Sequence, residues 1–113
     1  MSDFRAFNPT GPTILVPSDA AAPAGVQALS PDGDTNQYRI YNASAAVVHV
    51  AHGIDAATAQ ARAVIPTGGG ANAKHSYPVG AGQAVILSAP KAAFWSSISA
   101  AAASVFITPG RGL

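Results

Sequence analysis

Apolar positions in this chain come in short runs of four to six, cut by Gly and Pro, and no run sustains a helical period over its whole length. Residues 37–53, QYRIYNASAAVVHVAHG, show the pattern best. Polar and apolar residues alternate through QYRIY, NAS forms a tight turn, and a Val-rich second strand follows. The same signals predict strands over residues 13–16, 26–29, 37–41, 46–51, 62–65, 74–79, 84–88, 93–99 and 104–108. Pro17 ends the first of these, and Pro109-Gly110 stops the last. Residues 30–36, SPDGDTN, are the clearest turn, because Pro pre-sets φ while Asp and Gly tolerate left-handed backbone. TGGGANA at 67–73 is a second turn, and SDAAAPAG at 18–25 is a loop, or at most one helical turn before Pro23. Residues 54–61, IDAATAQA, fit either a short helix capped by Asp55 or an irregular crossover.

Strands spaced by about ten residues imply an all-β fold: an antiparallel β-sandwich or jelly roll of about eight short strands. Residues 1–12, MSDFRAFNPTGP, have no period and read as an extended N-terminal arm, leaving 13–113 as a single β-sandwich domain. Phe4 and Phe7 are unusual in such an arm, and either fold back on the domain or anchor a partner subunit. Strand phase assigns Ile14, Val16, Val26, Leu29, Tyr38, Ile40, Val48, Val50, Ile65, Val85, Leu87, Phe94, Ile98, Val105 and Ile107 to the core. Trp95 is out of phase with Phe94, so it belongs either to the core or to the opposite face as a contact residue.

Composition narrows the function. At 113 residues the chain is one domain, able to bury roughly two-thirds of its unfolded surface. Charged residues make up 10%, against about 25% in an average domain, and the net charge is +1. That excludes a broad basic face for nucleic acid. There is no Glu and no Cys, so neither disulfides nor thiolate metal sites are available. The 26 alanines are broken up by 11 Gly and 9 Pro, and read as small strand residues suited to close packing against neighbours. The start MSDFR lacks the features of a signal peptide. The longest apolar run, 98–107, is interrupted by Ser99 and Ser104 and is far short of the roughly 20 residues a membrane span needs.

Candidate chemistry is sparse. His49 and His52 are three apart, which on a strand sends them to opposite faces. With His75 they lack the HxH-plus-carboxylate pattern of a jelly-roll metalloenzyme. There is no G-x-S-x-G elbow for a serine nucleophile. The glycines at 68–70 lack the spacing and the following helix of a phosphate loop. Asn42-Ala43-Ser44 matches a glycosylation sequon and reads as turn chemistry. No catalytic residue, metal or cofactor is expected. Arg39 alternates with Tyr38 and Ile40 and so points outward beside Tyr41. There it can meet a partner carboxylate, or keep an edge strand from aggregating.

Over most of residues 37–112, a strand, small-residue turn and Val-rich strand followed by a TPG finish form a pattern that resembles small virion proteins of tailed bacteriophages. The likeness is carried by an R-I-x-N strand (Arg39, Ile40, Asn42), a small-residue turn, and a Val-rich strand (Val47, Val48, Val50) ending at Gly53. It continues through Ala63-Val64-Ile65-Pro66 and a Gly-rich turn to the VFITPG finish at 105–110. The resemblance implies a β-sandwich or jelly roll that decorates or cements a capsid, binding outside a shell of major capsid protein as a dimer or trimer. It implies location on the virion surface after synthesis in the host cytoplasm, without nucleic acid or membrane as partner. Phe4, Arg5 and Phe7 would be the arm that reaches a neighbour, with Arg39 a further contact. A tail, fibre or carbohydrate-binding accessory module is the alternative reading.

Overall fold

The computed structural model describes residues 7–29, 37–66 and 76–111. Among these residues nine strands and one helix follow in order: β1 (Asn8–Pro9), β2 (Ile14–Ser18), β3 (Val26–Gln27), β4 (Gln37–Asn42), β5 (Val48–Gly53), α1 (Ala56–Arg62), β6 (Tyr77–Val79), β7 (Ala84–Ser88), β8 (Phe94–Ser99) and β9 (Ala103–Arg111). They form two packed antiparallel sheets. The five-stranded sheet runs β1-β9-β4-β7, with β2 also on β9, and the four-stranded sheet runs β3-β8-β5-β6.

The pairings are nested. β5 pairs with β6, β4 with β7, β3 with β8 and β2 with β9. The chain therefore doubles back as one long antiparallel ribbon. The ribbon rolls up when β4 joins β9 and β5 joins β8. This is a jelly roll, one of the two arrangements the strand spacing implies.

Side chains from both inner faces close the core. Val16, Tyr38, Ile40, Val105 and Ile107 of one sheet meet Val48, Val50, Val79 and Trp95 of the other, all essentially inaccessible. Each large apolar side chain buried in this way contributes about 1.5–3 kcal/mol. Tyr38 and Trp95 touch across the core, and the Tyr38 hydroxyl donates to the Pro90 carbonyl at 2.8 Å.

Several expectations are corrected. Pro109-Gly110 does not end β9. Pro109 accepts from the Thr10 N–H through its carbonyl at 3.0 Å, so its nitrogen faces the same side. That side is the gap between β1 and β2, where no ladder bond is lost. Pro17 lies inside β2, an edge strand, and its nitrogen faces away from β9, where proline is tolerated. Residues 62–65 are not a strand: Arg62 closes α1, and residues 63–66 have no regular structure. Leu29 and Ile65 are exposed rather than core. In β8 the phase is opposite to that expected. Trp95 is fully buried, while Phe94 and Ile98 are half-buried on the other face. The ambiguity over residues 54–61 resolves as α1, whose N-terminus is capped by Asp55 accepting from the Thr58 N–H at 2.7 Å.

The helix covers the outside of the four-stranded sheet. A side chain at Gly53 would meet the Ala59 nitrogen at 2.7 Å and Thr58 Cγ2 at 2.8 Å, so glycine is what lets α1 come this close.

Candidate interaction surface

The two outer faces of the sandwich differ. One is covered by α1, and the other, on the five-stranded sheet, is left uncovered by the described residues. Register builds that bare face row by row. Leu15 lies opposite Phe106, Phe106 opposite Tyr41, and Tyr41 opposite Ala84, giving one row across four strands. The next row sets Thr108 opposite Arg39 and Arg39 opposite Ile86. Thr13 joins that row through a 2.6 Å hydroxyl contact with Thr108.

A solvated sheet face ordinarily alternates polar-out with apolar-in. This one presents Leu15 at 51%, Phe106 and Ile86 at 37% and Tyr41 at 36% exposure, side by side. The Tyr41 and Phe106 rings lie nearly parallel, with centroids 6.5 Å apart and a 20° interplanar angle. The Arg39 guanidinium sits 5.8 Å from the Tyr41 centroid, a cation–π geometry worth about 0.5–1 kcal/mol at an exposed site. The arrangement holds a cation at the edge of an apolar strip. Such a strip buries well against another protein, and the cation can take a carboxylate at its margin.

Arg39 is thus placed on the exposed face, as expected, but β4 is paired on both sides, with β9 and β7, so Arg39 does not guard an edge strand. Phe7 is half-buried, and its ring lies over Gly110, where any side chain on residue 110 would collide with it. β1, inside the segment read as an arm, pairs with Gly110 and Arg111. Phe4 and Arg5 lie outside the described residues. Leu15, Ile86 and Phe106 were not singled out from the sequence, although the signal was present. Each is the middle of an apolar triplet whose two flanking residues face the core.

The other singled-out residues have structural places. Asn42 is fully buried at the end of β4. Its Nδ2 donates to the carbonyls of Ala46 (2.7 Å), Val79 (3.1 Å) and Gly80 (3.1 Å), while Oδ1 accepts from the Ser44 hydroxyl at 2.7 Å. It ties the turn after β4 to the end of β6. His49 and His52 pair with neighbours on opposite faces of β5, and His52 rests against Trp95 with ring centroids 5.2 Å apart. His49 Nδ1 is buried with no hydrogen-bond partner among the described residues, and desolvation lowers its pKa. His75 lies outside the described residues, which contain no cluster of three His, Cys, Asp or Glu able to hold a metal ion.

A cleft of about 180 Å³ opens beside β5 and is lined by His52, Ile54, Arg62, Lys91 and their neighbours. Arg62 is fixed there by donating to the His52 carbonyl at 3.2 Å. The cleft is smaller than the roughly 300–1,000 Å³ of drug-sized ligand sites. Among the described residues no helix is long and apolar enough to cross a membrane.

Comparison of the chain with family models, with curated proteins and with solved structures returned no match.

Proposed function

We propose that this domain is a capsid decoration, or cement, protein of a tailed bacteriophage. In this reading it binds the outside of a shell of major capsid protein through the bare face of its five-stranded sheet. The observation that carries the reading is the contiguous exposed strip Leu15–Phe106–Tyr41 with Ile86 and Arg39 on a rigid sheet. The jelly-roll scaffold, the low charge and the resemblance to phage virion proteins agree with it. The role is binding, without catalysis or cofactor, and the chain acts as a homo-oligomer, dimer or trimer.

A cement protein stabilises by mass action. Occupancy at a hundred times the dissociation constant adds about 2.7 kcal/mol per site to the assembled state. The carbohydrate-binding alternative is less well supported. Trp95 and Tyr38 are interior, which leaves Tyr41 and Tyr77 as the exposed Tyr or Trp side chains among the described residues.

The test is co-sedimentation of the purified protein with mature heads built from the major capsid protein of the same genome. Binding with a raised head melting temperature is expected. Absence of binding to any head particle would sink the reading.

A further inference from the structure

The edge strands of the two sheets are not equally guarded. An exposed edge offers unpaired N–H and C=O groups to any other strand, and proteins blunt it with proline, charge or short length. Here β1 carries Pro9, β2 carries Pro17 and β6 carries Pro78, while β3 has two residues. The remaining edge, β7, is AVILS: five residues with no proline and no charge, paired among the described residues with β4 alone.

The backbone groups it leaves unpaired among the described residues can be assigned. The Asn42 N–H donates to the Gln83 carbonyl at 3.0 Å. Alternation then turns the backbones of Val85 and Leu87 toward β4, and those of Ala84, Ile86 and Ser88 outward.

We propose that β7 is a self-pairing edge: two copies of this chain join β7 to β7, antiparallel, about a two-fold axis at Ile86. The strand is complementary to itself in that register. Ile86 meets Ile86 of the second copy, Ala84 meets Ser88, and Val85 meets Leu87, with about six backbone hydrogen bonds closing the pair. No like charges are brought together. Arg39, one strand in from Ile86, ends about 14 Å from its counterpart, three strand spacings away. That exceeds the screening length of about 8 Å at physiological salt.

Pairing also answers a shortage of area. The bare face spans four strands, a footprint of roughly 400 Å². A standard protein interface needs about 800 Å² on each partner. Joining two copies at β7 makes the two faces continuous and doubles the footprint. The edge argument does not depend on what the face binds.

Sedimentation equilibrium of the full chain over a concentration series, without capsids, tests it. A dimer that dissociates on dilution is expected, with the Ala84, Ile86 and Ser88 amides protected from hydrogen exchange at high concentration and released at low. Ile86→Lys sets two ammonium groups face to face at the axis on an already exposed position. It should give a monomer with a near-native thermal midpoint. A wild-type chain that stays monomeric at the highest concentration overturns the proposal. So does a dimer that survives Ile86→Lys, or one in which those three amides exchange freely.

Discussion

Trp95 meets Tyr38 across the middle of the sandwich, their ring centroids 5.1 Å apart and their planes tilted by 57°. The contact joins β8 of one sheet to β4 of the other, and both side chains are fully buried. Truncating Trp95 to Ala leaves a large cavity at the sheet interface and should remove about 3–5 kcal/mol. Against a total of about 5–15 kcal/mol for a domain, that is enough to populate the unfolded state. Urea unfolding followed by far-UV circular dichroism measures it, since the variant has lost the chain's single tryptophan.

Asn42 should be as sensitive as a core hydrophobe. Asn42→Ala leaves the carbonyls of Ala46, Val79 and Gly80 without their shared donor, and should cost about 2 kcal/mol. Asn42→Asp should be worse, because it turns an oxygen toward three oxygens, and the deficit should shrink as acid protonates it. Paired urea titrations at neutral and acidic pH check both the order and the trend.

The exposed strip should tolerate change without loss of fold. Phe106→Asp and Arg39→Glu alter side chains on the solvent side of the sheet and should leave the thermal midpoint within a few degrees. Both should weaken binding to capsids, Phe106→Asp at least tenfold. Affinity by co-sedimentation beside a melting curve separates the two effects; a Phe106→Asp protein that binds as well as the parent would remove the strip from the interface.

His49 should make the domain acid-sensitive. Burial holds its pKa below the ordinary imidazole value of 6.5, so the folded state binds its proton less readily than the unfolded state does. Stability is then full above that value, and declines as pH falls from it toward the folded-state pKa. His49→Gln should flatten this part of the profile. Chemical denaturation at closely spaced pH values between neutrality and mild acid reads the slope directly.

Much of the sandwich can be read where alternation is clean. In β4, QYRIYN, polar and apolar positions alternate, and Tyr38 and Ile40 point in while Arg39 and Tyr41 point out, as period two requires. β8 defeated the same logic because its buried positions include Ser96, Ser97 and Ser99. Serine reads as exposed, yet Ser99 is held by Ser18 at 2.8 Å and Ser96 by the Pro23 carbonyl at 2.7 Å. Pro109 misled for a different reason. Proline ends strands when its missing N–H removes a ladder bond, and a lone sequence does not say which side that nitrogen faces. The exposed strip was hidden in continuous apolar triplets such as Val105-Phe106-Ile107, in which composition conceals that the middle residue is outside.

The nested pairing has a consequence for how the domain is made. β9 comes last among the described strands, yet it lies between β4 and the edge formed by β1 and β2. Until residues 103–111 have left the ribosome, β2 has no partner in its sheet and β4 is unpaired on one flank. The earlier strands therefore wait in an open state, and closure is a late, long-range event of the slow kind expected for non-local β topologies. Chaperones that recognise exposed apolar segments during synthesis have a long window on β2, whose Ile14, Leu15 and Val16 wait for β9.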